Sequence, residues 1–150
     1  MARYFLDSSA LVKRYHLESG SADVQGLFDS SSDRFFVSRL ALVEVHSSFA
    51  RLVREGVIAK PDFDKLIVRL DGDVASGVLT VAAVSSRRLA GAAAILGTLG
   101  LTNPVRTLDA IHLATALALH GRSRIAAFVA ADKKLLVAAT ACGLAVREVG

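Results

Sequence analysis

RYFLDSSALVKRY, residues 3–15, passes from a short apolar segment straight into a helical pattern, with only Asp7-Ser8 between them. Arg3–Leu6 reads as a strand and Ser9–Leu17 as the helix that follows, a β-then-α unit. The alternation continues along the chain. Ser19–Ser30 is a weaker helix, Arg34–Val37 a second strand, and Ser38 an N-cap candidate for a long helix. That helix carries Leu42, Val45, Phe49, Leu52 and Val53 on one face and closes at Gly56. Pro61 suits the first turn of the next helix, which runs to about Ser76. Val78–Val84 reads as a strand, and Ser85 or Ser86 caps a helix reaching Leu99. After a loop from Gly100 to Arg106, Thr107 caps an almost wholly apolar helix that must be largely buried. Ile125–Ala130, Asp132–Cys142 and Leu144–Val149 complete the pattern as strand, helix and strand. Repeated β-α order predicts an α/β fold in three layers, α/β/α, with a central, mainly parallel sheet of about five strands.

The length suits a single domain, residues 1–150, whose core needs neither disulfides nor structural metal. A composition 53% hydrophobic and 21% charged excludes a disordered chain. No apolar run approaches the roughly 20 residues that span a bilayer. MARYFLDSS lacks a long hydrophobic segment behind a basic start, so a cytoplasmic location with no membrane contact is the expectation. Cys142, the single cysteine, sits in LLVAATACG as a small buried residue rather than a nucleophile. The net charge of +4 favours polyanionic partners, although such a charge also simply keeps a domain soluble. Gly91, Gly97 and Gly100 match neither the dinucleotide fingerprint nor the P-loop, and His16, His46, His112 and His120 lack zinc-site spacing.

Four acids stand in apolar surroundings: Asp7 in YFLDSSAL, Glu44 in LALVEV, Asp109 in RTLDAIHLA and Asp132 in FVAADKKLL. Each alone has a plain explanation. Asp7 and Asp132 occupy N-cap positions, Asp109 falls in a first helical turn, and Glu44 shares a polar stripe with Ser48, Arg51 and Glu55. Together they say more, because Asp7 and Asp132 both lie just past the C-terminal ends of strands, where open parallel sheets build their sites. Helices flanking that edge would bring Asp109 and Glu44 to the same crevice. Two carboxylates about 5 Å apart repel by roughly 3 kcal/mol at an effective dielectric of about 20. A hard cation such as Mg²⁺ converts that repulsion into ligation.

At these residues the chain resembles the PIN-domain ribonucleases, and among them the VapC-type toxins of toxin–antitoxin pairs. The resemblance covers essentially the whole chain through YFLDSSALVKRY, LALVEV, RTLDAIHLATAL and FVAADKKLLVAATACGLAV, in that order. It implies a PIN-like fold in which Asp7, Glu44, Asp109 and Asp132 hold one or two Mg²⁺ or Mn²⁺ ions and act catalytically. It also implies RNA as substrate, endonucleolytic hydrolysis, a small VapB-like antitoxin whose tail covers the site, and a homodimer. One departure is visible: many relatives carry Thr or Ser two residues before the last acid, where this chain has Ala130, so a hydroxyl that would help orient Asp132 is missing there, with Ser8 and Ser9 as nearby candidates to supply one.

For gripping RNA, the basic residues nearest the acids in sequence are Lys13, Arg14, Arg39, Arg106, Lys133 and Lys134. His112, one turn after Asp109, reads as a packed core histidine. The competing expectation is a non-catalytic PIN-like module that binds RNA or a protein. A metal-dependent phosphatase ranks below it, because Asp7-Ser8-Ser9 lacks the second aspartate of a D-x-D site.

Overall fold

The computed structural model describes all 150 residues, Met1–Gly150. Five strands, β1 (Arg3–Leu6), β2 (Arg34–Ser38), β3 (Leu79–Ala82), β4 (Ala127–Ala130) and β5 (Val146–Glu148), form one sheet. Their order is β3-β2-β1-β4-β5, and every neighbouring pair is parallel. The connections are helical: α1 (Ser8–Tyr15) and α2 (Ser21–Leu27), then α3 (Arg39–Arg54) and α4 (Lys60–Ala75). α5 (Ser86–Thr98) and α6 (Thr107–Ser123) follow, joined through a 3-10 turn at Leu99–Leu101, and α7 (Lys133–Ala141) is the last.

Strand periodicity divides the core into two layers. Leu6, Phe35, Val37, Leu79 and Val129 point to one face and pack with Leu11, Val24, Val45, Phe49 and Leu70 of α1 to α4. Phe5, Phe128 and Ala130 point to the other, against Leu113, Ala116, Leu135 and Ala139 of α6 and α7. Phe5 and Phe128 stack across the β1–β4 pair with centroids 5.5 Å apart. The first half of the chain therefore covers one face and the second half the other. Winding reverses between β1 and β4, and the carboxyl ends of those two strands flank the crevice that such a reversal opens.

Most of the predicted elements fall within a few residues of the observed ones. Ser38 caps α3 by accepting the Ala41 N–H at 3.1 Å, and Gly56 follows that helix at φ +73°. Thr107 does not cap α6. The cap lies one residue earlier, at Arg106, whose N–H donates to the Asp109 carboxylate at 3.2 Å.

Gly20 sits at φ +81° where the final residues of the chain dock, and a Cβ there would lie 2.6 Å from the Gly150 Cα. Gly72 is different: it is exposed within α4 with nothing near its missing Cβ. Gly20→Ala is expected to destabilise the fold by more than about 1 kcal/mol, and Gly72→Ala to stabilise it by about 0.5–1 kcal/mol. Opposite shifts of the urea midpoint in the two variants check this.

Candidate active site

All four acids line a single cleft of about 500 Å³ over the carboxyl edge of the sheet, together with Ser8, Ser9, Lys13, Ser48, Arg51 and Arg106. Each acid arrives by a different local device. Asp7 leaves β1 directly, its N–H still donating to Val129 C=O at 2.9 Å, and its carboxylate caps α1 by accepting the Ser9 N–H at 3.1 Å. Asp132 caps α7, accepting the N–H groups of Lys134 and Leu135 at 2.9 and 3.2 Å. Asp109 occupies the first turn of α6, and Glu44 the second turn of α3. Three helix N-termini thus aim positive dipole ends at the acidic cluster.

The carboxylates grade from open to enclosed. Side-chain exposure falls from 32% at Asp132 through 23% at Glu44 and 13% at Asp109 to 6% at Asp7. Burial holds the Asp7 carboxyl above the usual carboxylate range, against the opposing pull of His112 and the Ser9 hydrogen bonds. Ser9 joins two loops at this point: its Oγ donates to Asp7 Oδ2 at 2.6 Å and accepts the Ala131 N–H at 3.0 Å. Neither Ser8 nor Ser9 bonds Asp132, whose carboxylate is held instead by the Lys134 and Leu135 N–H groups and by Arg106. Ala130 itself is fully buried in the apolar layer with Phe5 and Leu113.

No three His, Cys, Asp or Glu side chains stand ready to share one ion. Cationic groups of the chain occupy the carboxylates instead. The exposed Arg106 guanidinium reaches Asp109 at 3.3 Å and Asp132 at 3.5 Å. Behind the cleft, His112 Nε2 hydrogen-bonds Glu44 and faces Asp7 Oδ1 at 3.5 Å, while its Nδ1 meets Ser38 Oγ at 2.9 Å. Burial alone would lower the His112 pKa, yet the Glu44 hydrogen bond and the charges of Asp7, Glu44 and Asp109 hold it above the ordinary value. The donor set fits a divalent ion: it is all carboxylate oxygen with no thiolate, which suits Mg²⁺ or Mn²⁺, and it already gathers positive charge from Arg106.

The predicted basic residues divide. Arg106, Lys133 and Lys134 border a second hollow that shares Asp109 and Asp132 with the cleft. Lys13 lines the cleft, but it is buried and its ammonium is committed to Glu18 at 3.2 Å and to the Ser19 carbonyl. Arg14 turns away altogether. It pairs with Asp73 of α4 at 2.7 Å and lies 3.7 Å over the Phe28 ring, because α1 packs its outer side against α2 and α4. Arg39 is exposed at the start of α3 and does not line the cleft. Sequence proximity missed Arg51 and Ser48, although the polar stripe through Glu44 contains both. It also missed Ser38 and the role of His112, which shares one face of α6 with Asp109.

Residues 4–140 match the PIN domain family, and the chain belongs to it. It is 31% identical over 144 residues to Ribonuclease VapC35 of Mycobacterium tuberculosis, covering 95% of this chain and 93% of that protein. Among solved structures, M. tuberculosis VapC20, described as a toxin that cleaves the sarcin-ricin loop, superposes with a TM-score of 0.66 at 18% identity, covering 94% of this chain and 95% of the other. VapBC2 from Rickettsia felis, bound to a DNA fragment of its promoter, gives 0.65 at 14% identity over 99% of both chains.

Because its folded pKa is raised, Asp7 favours folding fully only below its ordinary value of 3.8, and that contribution is lost as pH rises through the folded value. At neutral pH the buried charge is a cost. Asn keeps the N-cap without the charge. Asp7→Asn is therefore expected to raise the thermal midpoint of EDTA-treated protein at pH 7, measured by calorimetry; a lower midpoint would contradict the burial cost.

Proposed function

We propose that this chain is a Mg²⁺- or Mn²⁺-dependent endoribonuclease and the toxin of a type II toxin–antitoxin pair acting in the cytoplasm. The observation that carries this reading is the meeting of Asp7, Glu44, Asp109 and Asp132 in one cleft at the switch point of a PIN-domain sheet. The likeness to a VapC ribonuclease and to VapC and VapBC structures supports the RNA substrate and a VapB-like antitoxin.

Asp7, Asp109 and Asp132 are assigned as the holders of the ion, and Glu44 as ligand to a second ion or acceptor that orients the attacking water. A divalent ion held by these residues would supply charge neutralisation at the phosphate and activation of the attacking water near neutral pH. The chain's own groups do the rest. Ser9 fixes the rotamer of Asp7. Arg106 would have to release Asp109 and Asp132 for an ion to be held there, and its exposed guanidinium would then be free to hold an RNA phosphate beside Lys133 and Lys134. An antitoxin would cover the same cleft and supply positive charge in place of the ion.

The homodimer is assigned to α5, whose Leu89, Ala90, Ala93, Ala94 and Gly97 are exposed while Gly91 and Ala92 face α6. No helix is long and apolar enough to cross a membrane.

End-labelled transfer and ribosomal RNA incubated with the protein and Mg²⁺ or Mn²⁺ is expected to give discrete products. EDTA should abolish them, and Asp109→Asn should reduce the rate at least about 100-fold, in line with losses on removing a charge-stabilising catalytic group. RNA bound equally well in EDTA, with no new ends, would instead indicate a binding module. For affinity, replacing Arg106, Lys133 and Lys134 together by Ala is expected to flatten the dependence of log K on log salt by about 2, at roughly 0.7 per single-strand phosphate contact. An unchanged slope in filter-binding titrations would remove these three from the RNA path.

A further inference from the structure

The acid-site assignment leaves one buried polar chain unused. Ser38, His112 and Glu44 run in series from the end of β2 through α6 to α3. Ser38 Oγ and His112 Nδ1 are 2.9 Å apart, and His112 Nε2 hydrogen-bonds Glu44 and stands 3.5 Å from Asp7 Oδ1. His112 is only 1% exposed and does not line the cleft, so it reaches neither solvent nor substrate. A side chain with two ring nitrogens, both engaged and both buried, is held in one orientation, and it holds whatever it bonds.

Glu44 needs such a hold. It lies on the polar stripe of α3 with Ser48 and Arg51, and its long side chain is partly exposed. Nothing besides His112 hydrogen-bonds its carboxylate. Left to itself, a glutamate at that position would spread over several rotamers in the cleft and offer its oxygens to an ion only part of the time. Ser38 is fully buried, and its hydroxyl also accepts the Ala41 N–H at 3.1 Å, so the far end of the chain is anchored to the first turn of the helix that carries Glu44. The two ends of one device therefore sit on one helix, closed through a histidine from another.

We infer that His112 is a positioning residue for the metal site: braced by Ser38, it fixes the Glu44 carboxylate beside Asp7 and so sets the site's affinity for a divalent ion. The inference rests on the proposed metal-dependent activity and adds to it a residue that touches neither ion nor RNA. Partners that orient a ligand without touching the metal are commonly worth roughly 10–100-fold in affinity.

The test uses Mn²⁺ alone, titrated calorimetrically into the full chain, with thermal midpoints recorded alongside. Gln at position 112 keeps an amide near the place of Nε2, and Asn keeps one near Nδ1 but stops short of Glu44. His112→Asn is expected to weaken Mn²⁺ binding about 10-fold or more, and His112→Gln to stay within about threefold of the unaltered protein. In a Glu44→Gln background, His112→Asn should cause no further loss. Equal weakening by Asn and Gln, or none by Asn, overturns the inference. If His112→Asn does not fold, Ser38→Ala reads the same chain from its other end: several-fold weaker Mn²⁺ binding is expected, and unchanged binding overturns it. Unaltered protein that binds Mn²⁺ and cuts RNA while His112→Asn binds equally well defeats this inference only. Unaltered protein that binds no Mn²⁺ defeats the nuclease reading and this inference with it.

Discussion

Like charges crowded at the edge of a sheet push apart, and much of the local architecture can be understood as opposition to that push. Two carboxylates brought to about 5 Å would repel by roughly 3 kcal/mol at an effective dielectric of about 20, a large share of the roughly 5–15 kcal/mol by which domains are stable. Every acid accordingly has a counterpart. Ser9 and the α1 N-terminus serve Asp7, His112 serves Glu44, Arg106 serves Asp109 and Asp132, and the starts of α6 and α7 add their dipoles. Burial adds a separate cost at Asp7, whose carboxyl it holds above the usual carboxylate range.

The winding of the chain makes the crowding possible. β1 and β4 are neighbours in space although most of the sequence separates them, and their carboxyl ends deliver Asp7 and Asp132 to one point. Glu44 comes from the layer of helices on one face and Asp109 from the layer on the other. The site is therefore complete only when both halves of the fold have closed on the shared sheet. Stacked Phe5 and Phe128 under the cleft, both fully buried, hold the two central strands in the register that this requires.

What could be read from the sequence is what local chemistry controls. The strand–Asp–helix run at residues 3–15 gives β1, the cap and α1 in order; Ser38 and Gly56 bound α3; and each acid falls beside an element end that its neighbours announce. What escaped is set by packing between distant segments. Nothing adjacent to Arg14 reveals that Asp73 on α4 will claim it, since the pair forms only when α1 and α4 meet. The missed α6 cap depends on Asp109 folding back onto the Arg106 N–H instead of pointing wholly into the cleft. His112 was legible as buried but not as bonded, because its partners Ser38 and Glu44 come from another layer. Spacing did hold one clue, in that His112 lies three residues after Asp109 and so on the same face of the helix.

The central claim is that Asp7, Asp109 and Asp132 hold a divalent ion with Glu44 beside them. Anomalous diffraction from crystals of the protein grown with Mn²⁺ tests it most directly. The account predicts a manganese peak enclosed by Asp7, Asp109 and Asp132, with Glu44 beside it and the Arg106 guanidinium moved off both of its present partners. A cleft without a peak, in which Arg106 still bridges Asp109 and Asp132 at saturating Mn²⁺, would contradict it.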